Sequence, residues 1–218
     1  GMHGSKASNV ACNECDLLIA VGCRFSDRVA LQPETFAKQA KIVHIDIDRS
    51  EIDKNVLTDH HIIGSARKVL AALNEKLPQY SRPEWKERIL SLKEPTVVEA
   101  GEKLTPQQVL EVIDRMAPKG TIVATDVGQH QMWAAQFYPF SKPRTFLTSG
   151  GLGTMGYGTG AAIGAQLANP RKRVVHIAGD GSFRMNCNEL ATITHYQVPV
   201  IIVLVNNGTL GMVRQWQN

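Results

Sequence analysis

The chain has 218 residues, 24 Lys+Arg against 20 Asp+Glu, and 43% apolar residues. That length suits one large domain or two small ones with a sizeable core, and the composition excludes a disordered or collagen-like chain. The net charge of +4 is modest and the basic residues are scattered, so neither nucleic acid nor a membrane surface is an expected partner.

Cys12 and Cys15 form a C-x-x-C in a helical stretch before the first strand. No second pair follows, since Cys23 and Cys187 stand alone, so reduced cysteines are expected rather than zinc or disulfides. Residues 17–21 and 42–47 are β-branched apolar runs that read as strands buried on both faces of a parallel sheet. A short third run, 61–64, precedes a helix capped by Ser65, with Val69, Leu70, Leu73 and Leu77 at helical spacing. Residues 78–104 hold three prolines and ten charged residues and read as a linker with one helix at 85–92. Thr105 and Pro106 then open a second α/β region as N-cap and first helical residue. It predicts strand 121–125, helix 129–137, a small-residue helix at 153–168, strand 173–178, helix 188–196 and strand 198–205. That last run is the longest apolar one and falls far short of the ~20 residues a membrane span needs. No basic-then-apolar leader opens the sequence, so secretion is not expected and a cytoplasmic or organelle-matrix protein is.

Two motifs compete for the chemistry. Gly151-Leu152-Gly153-Thr154-Met155-Gly156 fits the dinucleotide fingerprint G-x-G-x-x-G, with Asp180 ending the next strand at about the right distance, and taken alone suggests nicotinamide binding. Against it, glycine flanks Asp180 on both sides, and Gly158, Gly160 and Gly164 leave the helix a bare face suited to close packing against another backbone or a flat ligand. The second motif is more specific. Gly179-Asp180-Gly181 ends one buried strand and Asn206-Asn207 ends the next, 27 residues from Asp180 to Asn207. One helix between parallel strands uses that separation, so a carboxylate and a carboxamide emerge side by side where open α/β sheets bind ligands. Their oxygens start a hard-cation site of the kind magnesium completes with phosphate and water. Either turn alone would be ordinary; both in this register point to a phosphate group held through a metal.

G-D-G followed by an apolar strand ending in N-N resembles the motif of thiamine-diphosphate enzymes, and the chain resembles in particular the acetolactate (acetohydroxyacid) synthase catalytic subunits. The supporting segments are Gly1-Met2-His3-Gly4, Val21-Gly22-Cys23-Arg24-Phe25-Ser26-Asp27-Arg28, Val43-His44-Ile45-Asp46-Ile47-Asp48, Asp126-Val127-Gly128-Gln129-His130-Gln131-Met132, residues 149–157, and Gly211-Met212-Val213-Arg214-Gln215-Trp216-Gln217. The resemblance implies two parallel-sheet three-layer α/β domains, both incomplete. Residues 1–77 would be the C-terminal half of an FAD-binding central domain, 78–104 a linker, and 105–218 the N-terminal part of a thiamine diphosphate domain.

By the same resemblance Mg2+ would be held by Asp180, Asn207 and the carbonyl of Thr209, with Gly181 and Ser182 on the diphosphate. Met155 would prop the cofactor into the bent shape that brings its 4′-imino nitrogen to the thiazolium C2 proton. Val127, Gly128, Gln129 and His130, with Gly153 and Gly179, would line the same side. FAD, without net redox use, would take Met2, His3, Gly4, Gly22, Arg24, Asp27, Asp46 and Ile47. Arg28 and Trp216 would select the second 2-keto acid, Arg28 by pairing with its carboxylate.

The implied reaction is decarboxylation of pyruvate to a hydroxyethyl-thiamine carbanion, which attacks a second pyruvate or 2-ketobutyrate to give precursors of branched-chain amino acids. A homodimer or tetramer and a regulatory small subunit would be the partners. Three departures qualify the match. No residue corresponds to the family's activating glutamate, Thr159-Gly160 stands where Leu-Pro is usual, and Ser26 stands where Asp is usual. The chain therefore reads as an internal fragment inactive alone. Another thiamine-diphosphate carboligase or decarboxylase, or a non-catalytic cofactor-binding remnant, are the alternatives.

Overall fold

A computed structural model describes residues 1–93 and 104–217. The chain divides into two compact units, Gly1–Thr96 and Val97–Asn218, each built on one parallel sheet, as the alternation of apolar runs and helical periods predicts. Of the linker expected over 78–104, residues 94–103 lie outside the described residues.

In the first unit, α1 (Lys6–Glu14) starts at Ser5, whose hydroxyl accepts from the Ser8 N–H at 3.2 Å. Cys15 caps its end, so the C-x-x-C straddles the helix terminus instead of lying within it, and Cys12, Cys15, Cys23 and Cys187 are free thiols. Strands β1 (Leu17–Val21), β2 (Lys41–Asp46) and β3 (His60–Ile63) pair in the order β1-β2-β3. Ala20 and Ile42 pack with Phe25, Ala30, Ala37 and Val56, so the irregular segment after β1 supplies much of this core. β1 departs from the expected burial on both faces: Leu17, Ile19 and Val21 are 49%, 46% and 39% exposed. Successive residues of a strand face opposite sides, and among the described residues only the side carrying Leu18 and Ala20 is covered. Helix α2 (Ala66–Lys76) follows Ser65, and α3 (Pro83–Ser91) returns to α1, where Arg88 pairs with Glu14 at 3.2 Å.

The second unit opens with α4 (Pro106–Met116) and a full capping box. Thr105 Oγ1 accepts from the Gln108 N–H, and Gln108 Oε1 accepts from the Thr105 N–H. Then come β4 (Ile122–Thr125), α5 (Gln129–Phe137), β5 (Phe146–Leu147), α6 (Tyr157–Ala168) and β6 (Val174–Gly179). The one-turn α7 (Asp180–Phe183), α8 (Leu190–His195), β7 (Ile201–Val205) and α9 (Gly211–Gln217) complete it. The sheet runs β5-β4-β6-β7, all parallel. Val123, Val175 and Ile177 face Leu110 of α4 and Ala134 of α5, while Ile122, Ala124 and Val174 face Ala162 and Ala165 of α6. Helices thus cover both faces, which is why β4 and β6 read as predominantly apolar runs, with His176 the polar exception in β6.

α6 begins at Tyr157, later than the expected 153, because Gly153 and Gly156 take φ of +75° and +87°, left-handed values that cannot continue a right-handed helix. The expected bare face also divides. A Cβ on Gly158 would lie 2.7 Å from the Asp126 nitrogen and 2.9 Å from the Thr125 carbonyl carbon, whereas Gly160 and Gly164 meet nothing within 4 Å. Gly158→Ala is therefore expected to cost about 2–3 kcal/mol by overpacking against backbone, and Gly160→Ala to gain ~0.5–1 kcal/mol of helix propensity. Thermal melts of the two variants should move in opposite directions; a shared direction would refute this packing.

Candidate active site

The C-terminal ends of β4, β6 and β7 finish at one edge of the second sheet, and the segments leaving them wall an open cleft of about 100 Å³. Val127, Gly128, Gln129 and His130 come from the β4–α5 turn, and Met155 from the turn before α6. Gly179, Asp180, Gly181 and Ser182 come from the end of β6 and the start of α7, and Asn207 and Thr209 from the turn after β7. Trp133, Leu210 and Met212, given no role by sequence reasoning, line it as well. Gly153 and Trp216 do not: Gly153 lies in the turn before α6, and Trp216 on α9 is 65% exposed. Gln129 ties α5 to α9, its Nε2 donating to Gln215 Oε1 at 3.3 Å.

Gly179 and Val205 are register partners, so Asp180 and Asn207 leave neighbouring strands side by side. Asp180 Oδ1 accepts from the Asn207 N–H at 3.4 Å, and Asn207 Oδ1 accepts from the Thr209 N–H at 3.1 Å. These contacts bring the Asp180 carboxylate and the Asn207 carboxamide together with Thr209 beside them at the cleft wall, and the two side chains carry hard oxygen donors of the kind Mg2+ prefers. Among the described residues, no group of three or more His, Cys, Asp or Glu side chains is placed to hold a metal ion.

Beneath the cleft lies a carboxylate that the sequence reading left without a role. Asp126 is fully buried, and its Oδ1 accepts from the Gly156 N–H at 2.6 Å and from Ser182 Oγ at 2.7 Å. Its Oδ2 faces His176 Nε2 at 3.5 Å. Burial pushes the Asp126 carboxyl upward, but the His176 ring, the Ser182 hydroxyl and the Gly156 amide outweigh it and hold the group below the usual carboxylate range. The lone polar residue in the apolar run Val174-Val175-His176-Ile177 was the available signal, because a histidine in a buried strand calls for a partner. The glycine run also lacks the geometry of the nicotinamide reading: α6 starts at Tyr157, after all three glycines, so no helix opens within the run to meet a pyrophosphate. His130, 5% exposed, is lowered from 6.5 to about 4, chiefly by burial and against the pull of Asp126.

The residues expected to serve FAD lie in the first unit, at the C-terminal edge of its sheet and in the chain's first turn. Gly22 follows β1 and donates its N–H to the Ile45 carbonyl at 2.8 Å, which sets it beside the end of β2. There Asp46 is buried, its Oδ1 accepting from the Asp48 N–H at 2.9 Å and its Oδ2 lying 3.7 Å from His44 Nε2, while Ile47 is exposed. Asp46 is therefore no surface turn residue. The Met2 N–H donates to the Arg28 carbonyl at 2.7 Å, joining Met2, His3 and Gly4 to the Asp27-Arg28 segment. His3 Nδ1 is buried without a hydrogen-bond partner among the described residues, and burial followed by the nearby Arg28 lowers its pKa. Arg24 is exposed. Arg28, expected to meet a substrate carboxylate, is paired with Asp27 at 3.2 Å on the surface, a contact weak enough for another carboxylate to displace. Arg28 belongs to the first unit and Trp216 to the second.

Comparison with known proteins bears on both units. Residues 1–73 match the thiamine pyrophosphate enzyme central domain, and residues 126–218 match the thiamine pyrophosphate enzyme C-terminal TPP binding domain. Over its whole length the chain is 50% identical to the probable acetolactate synthase large subunit of Methanocaldococcus jannaschii. It is 47% identical to the acetolactate synthase isozyme 2 large subunit of Escherichia coli K12 and 46% to the chloroplastic acetolactate synthase of Arabidopsis thaliana. It spans 39%, 40% and 34% of those three proteins' lengths. With both domain matches falling on parallel α/β units, and the cleft on the one that matches the cofactor-binding domain, the chain belongs to the thiamine pyrophosphate enzymes.

Proposed function

We propose that this chain is the central and cofactor-binding part of an acetolactate synthase catalytic subunit. Such an enzyme decarboxylates pyruvate and condenses the two-carbon unit with a second pyruvate or with 2-ketobutyrate, in branched-chain amino acid biosynthesis. The observation that carries this reading is the placement of Asp180 and Asn207 side by side at the edge of a glycine-lined cleft. Bound thiamine diphosphate supplies the electron sink for the carboxylate's departing pair. Asp180, Asn207 and the Thr209 carbonyl would hold Mg2+ against its diphosphate, Gly181 and Ser182 would contact that group, and Met155 would support the ring system from the opposite wall. Gln129, kept in place by Gln215, would face the reacting end.

FAD would lie along Gly22, Asp46 and Ile47 with Met2, His3 and Gly4, where the unpartnered His3 nitrogen offers it a contact. Asp46 accepts from Asp48 through one oxygen and can take a ribose hydroxyl through the other. Arg28 and Trp216 would discriminate the second keto acid. A homodimer or tetramer, a regulatory small subunit and a cytoplasmic location belong to the same proposal; among the described residues no helix is long and apolar enough to cross a membrane.

The decisive test replaces the matching stretch of the Escherichia coli isozyme 2 large subunit with this chain and assays pyruvate, Mg2+, thiamine diphosphate and FAD for acetolactate. Acetolactate is expected from the chimera and none from the 218 residues alone, which span 40% of that relative's length. Carbon dioxide without acetolactate would keep the cofactor site and remove Arg28 and Trp216 from the mechanism. No turnover from a folded, cofactor-loaded chimera would overturn the reading. Turnover by the 218 residues alone would refute the expectation that they are inactive by themselves.

A further inference from the structure

The cleft walls come from segments far apart in sequence, and one buried side chain joins them. Asp126 Oδ1 accepts simultaneously from the Gly156 N–H and the Ser182 hydroxyl, partners 30 and 56 residues away. Gly156 adjoins Met155, and Ser182 lies two residues beyond Asp180, so the carboxylate holds both opposing walls from below. The Asp126 N–H donates to the Ile177 carbonyl at 3.1 Å, which fixes the carboxylate's own backbone to β6. Gly158 brings α6 against that same backbone, and its Cβ would collide there. Asp126 itself does not line the cleft.

We infer that Asp126 is a positioning residue for the cofactor: it sets the spacing between Met155 and the Gly179–Ser182 turn through Gly156 and Ser182. This rests on the thiamine diphosphate reading of the cleft. One chemical consequence is specific. With its proton directed to Asp126, the Ser182 hydroxyl presents only lone pairs elsewhere, so an anionic diphosphate must be met at this position by the backbone N–H. The fully buried His176, whose two ring nitrogens have no hydrogen-bond partner among the described residues, closes the far side of the carboxylate.

The test compares the parent chain with Asp126→Ala, Asp126→Asn and Ser182→Ala. It measures amide exchange over residues 153–157 and 180–184, and affinity for thiamine diphosphate with Mg2+ by calorimetry. Asparagine keeps an acceptor oxygen of the same reach, so it should restore most of what alanine loses. Expected for Asp126→Ala are faster exchange in both segments and about tenfold weaker cofactor binding, the effect of one buried charge-assisted hydrogen bond. Ser182→Ala leaves the carboxylate and its 2.6 Å contact with the Gly156 N–H and removes only the longer 3.3 Å contact from that N–H to Ser182 Oγ, so it should loosen 180–184 more than 153–157, and it serves if the first variant does not fold. Unchanged exchange in these segments would overturn the inference, as would loosening with unchanged affinity in a parent that binds. Loosened segments in a parent that binds no thiamine diphosphate would refute the functional reading and leave Asp126 as the joint of the two walls.

Discussion

Replacing Asp180 with alanine is expected to abolish the thermal stabilisation that thiamine diphosphate and Mg2+ together give the parent chain. A ligand that binds only the folded state adds about 2.7 kcal/mol at a hundred times its Kd, a shift of several degrees in the melting temperature. Among the described residues Asp180 is the only carboxylate lining the cleft. Without it Asn207 and a backbone carbonyl present no net negative charge to a divalent ion, and hydrated Mg2+ surrenders water reluctantly. Outer-shell substitutions at metal sites already weaken binding 10–100-fold, so loss of the charged ligand should weaken it by ~100-fold or more. The apo fold should be little affected, because among the described residues the carboxylate accepts only the long 3.4 Å hydrogen bond from the Asn207 N–H. The measurement is a pair of melts with and without Mg2+ and cofactor. If Asp180→Ala is stabilised as much as the parent, the metal is held elsewhere and the diphosphate assignment fails.

What made Asp180 visible and Asp126 invisible is a matter of range. Gly-Asp-Gly and Asn-Asn each stand at the end of an apolar run, and the neighbouring register follows from one crossover between parallel strands. Local pattern and a general handedness rule suffice for that. Asp126 also ends an apolar run, but its meaning lies in contacts 30 and 56 residues away, which no periodicity encodes. In sequence it is an acidic residue entering a turn. The helix containing Gly158, Gly160 and Gly164 shows the same limit, because composition marked all three alike and only the fold distinguishes the one that touches backbone. The two-residue β5 is too short to carry a period, and Phe25, Ala30 and Ala37 reach the first core from a segment with no regular structure. The exposed row of Leu17, Ile19 and Val21 has a related cause: apolar character announces burial without naming the covering element.

Between pH 6.5 and 4 the second unit is expected to lose stability through His130. Burial lowers its folded pKa to about 4 from an ordinary 6.5. In that window the unfolded chain binds a proton at this residue and the folded chain does not, so stability rises with pH and falls as acid is added. The full interval corresponds to about 3 kcal/mol, complete once the pH is below the folded value. Asp126 acts with a different range. Its folded pKa lies below the ordinary 3.8, so its contribution is present above that pH and is lost only as the solution becomes more acidic still. Half-buried His3, also lowered, adds to the same trend as His130 with a smaller burial behind it. Denaturant unfolding of the parent and of His130→Gln at pH 7, 6, 5 and 4.5 separates these contributions. The difference between the two proteins should narrow or reverse steadily as pH falls, because only the parent must keep an uncharged imidazole buried. A constant difference across the window would mean that His130 titrates normally, and that the wall of the cleft beside Gly179 is wet.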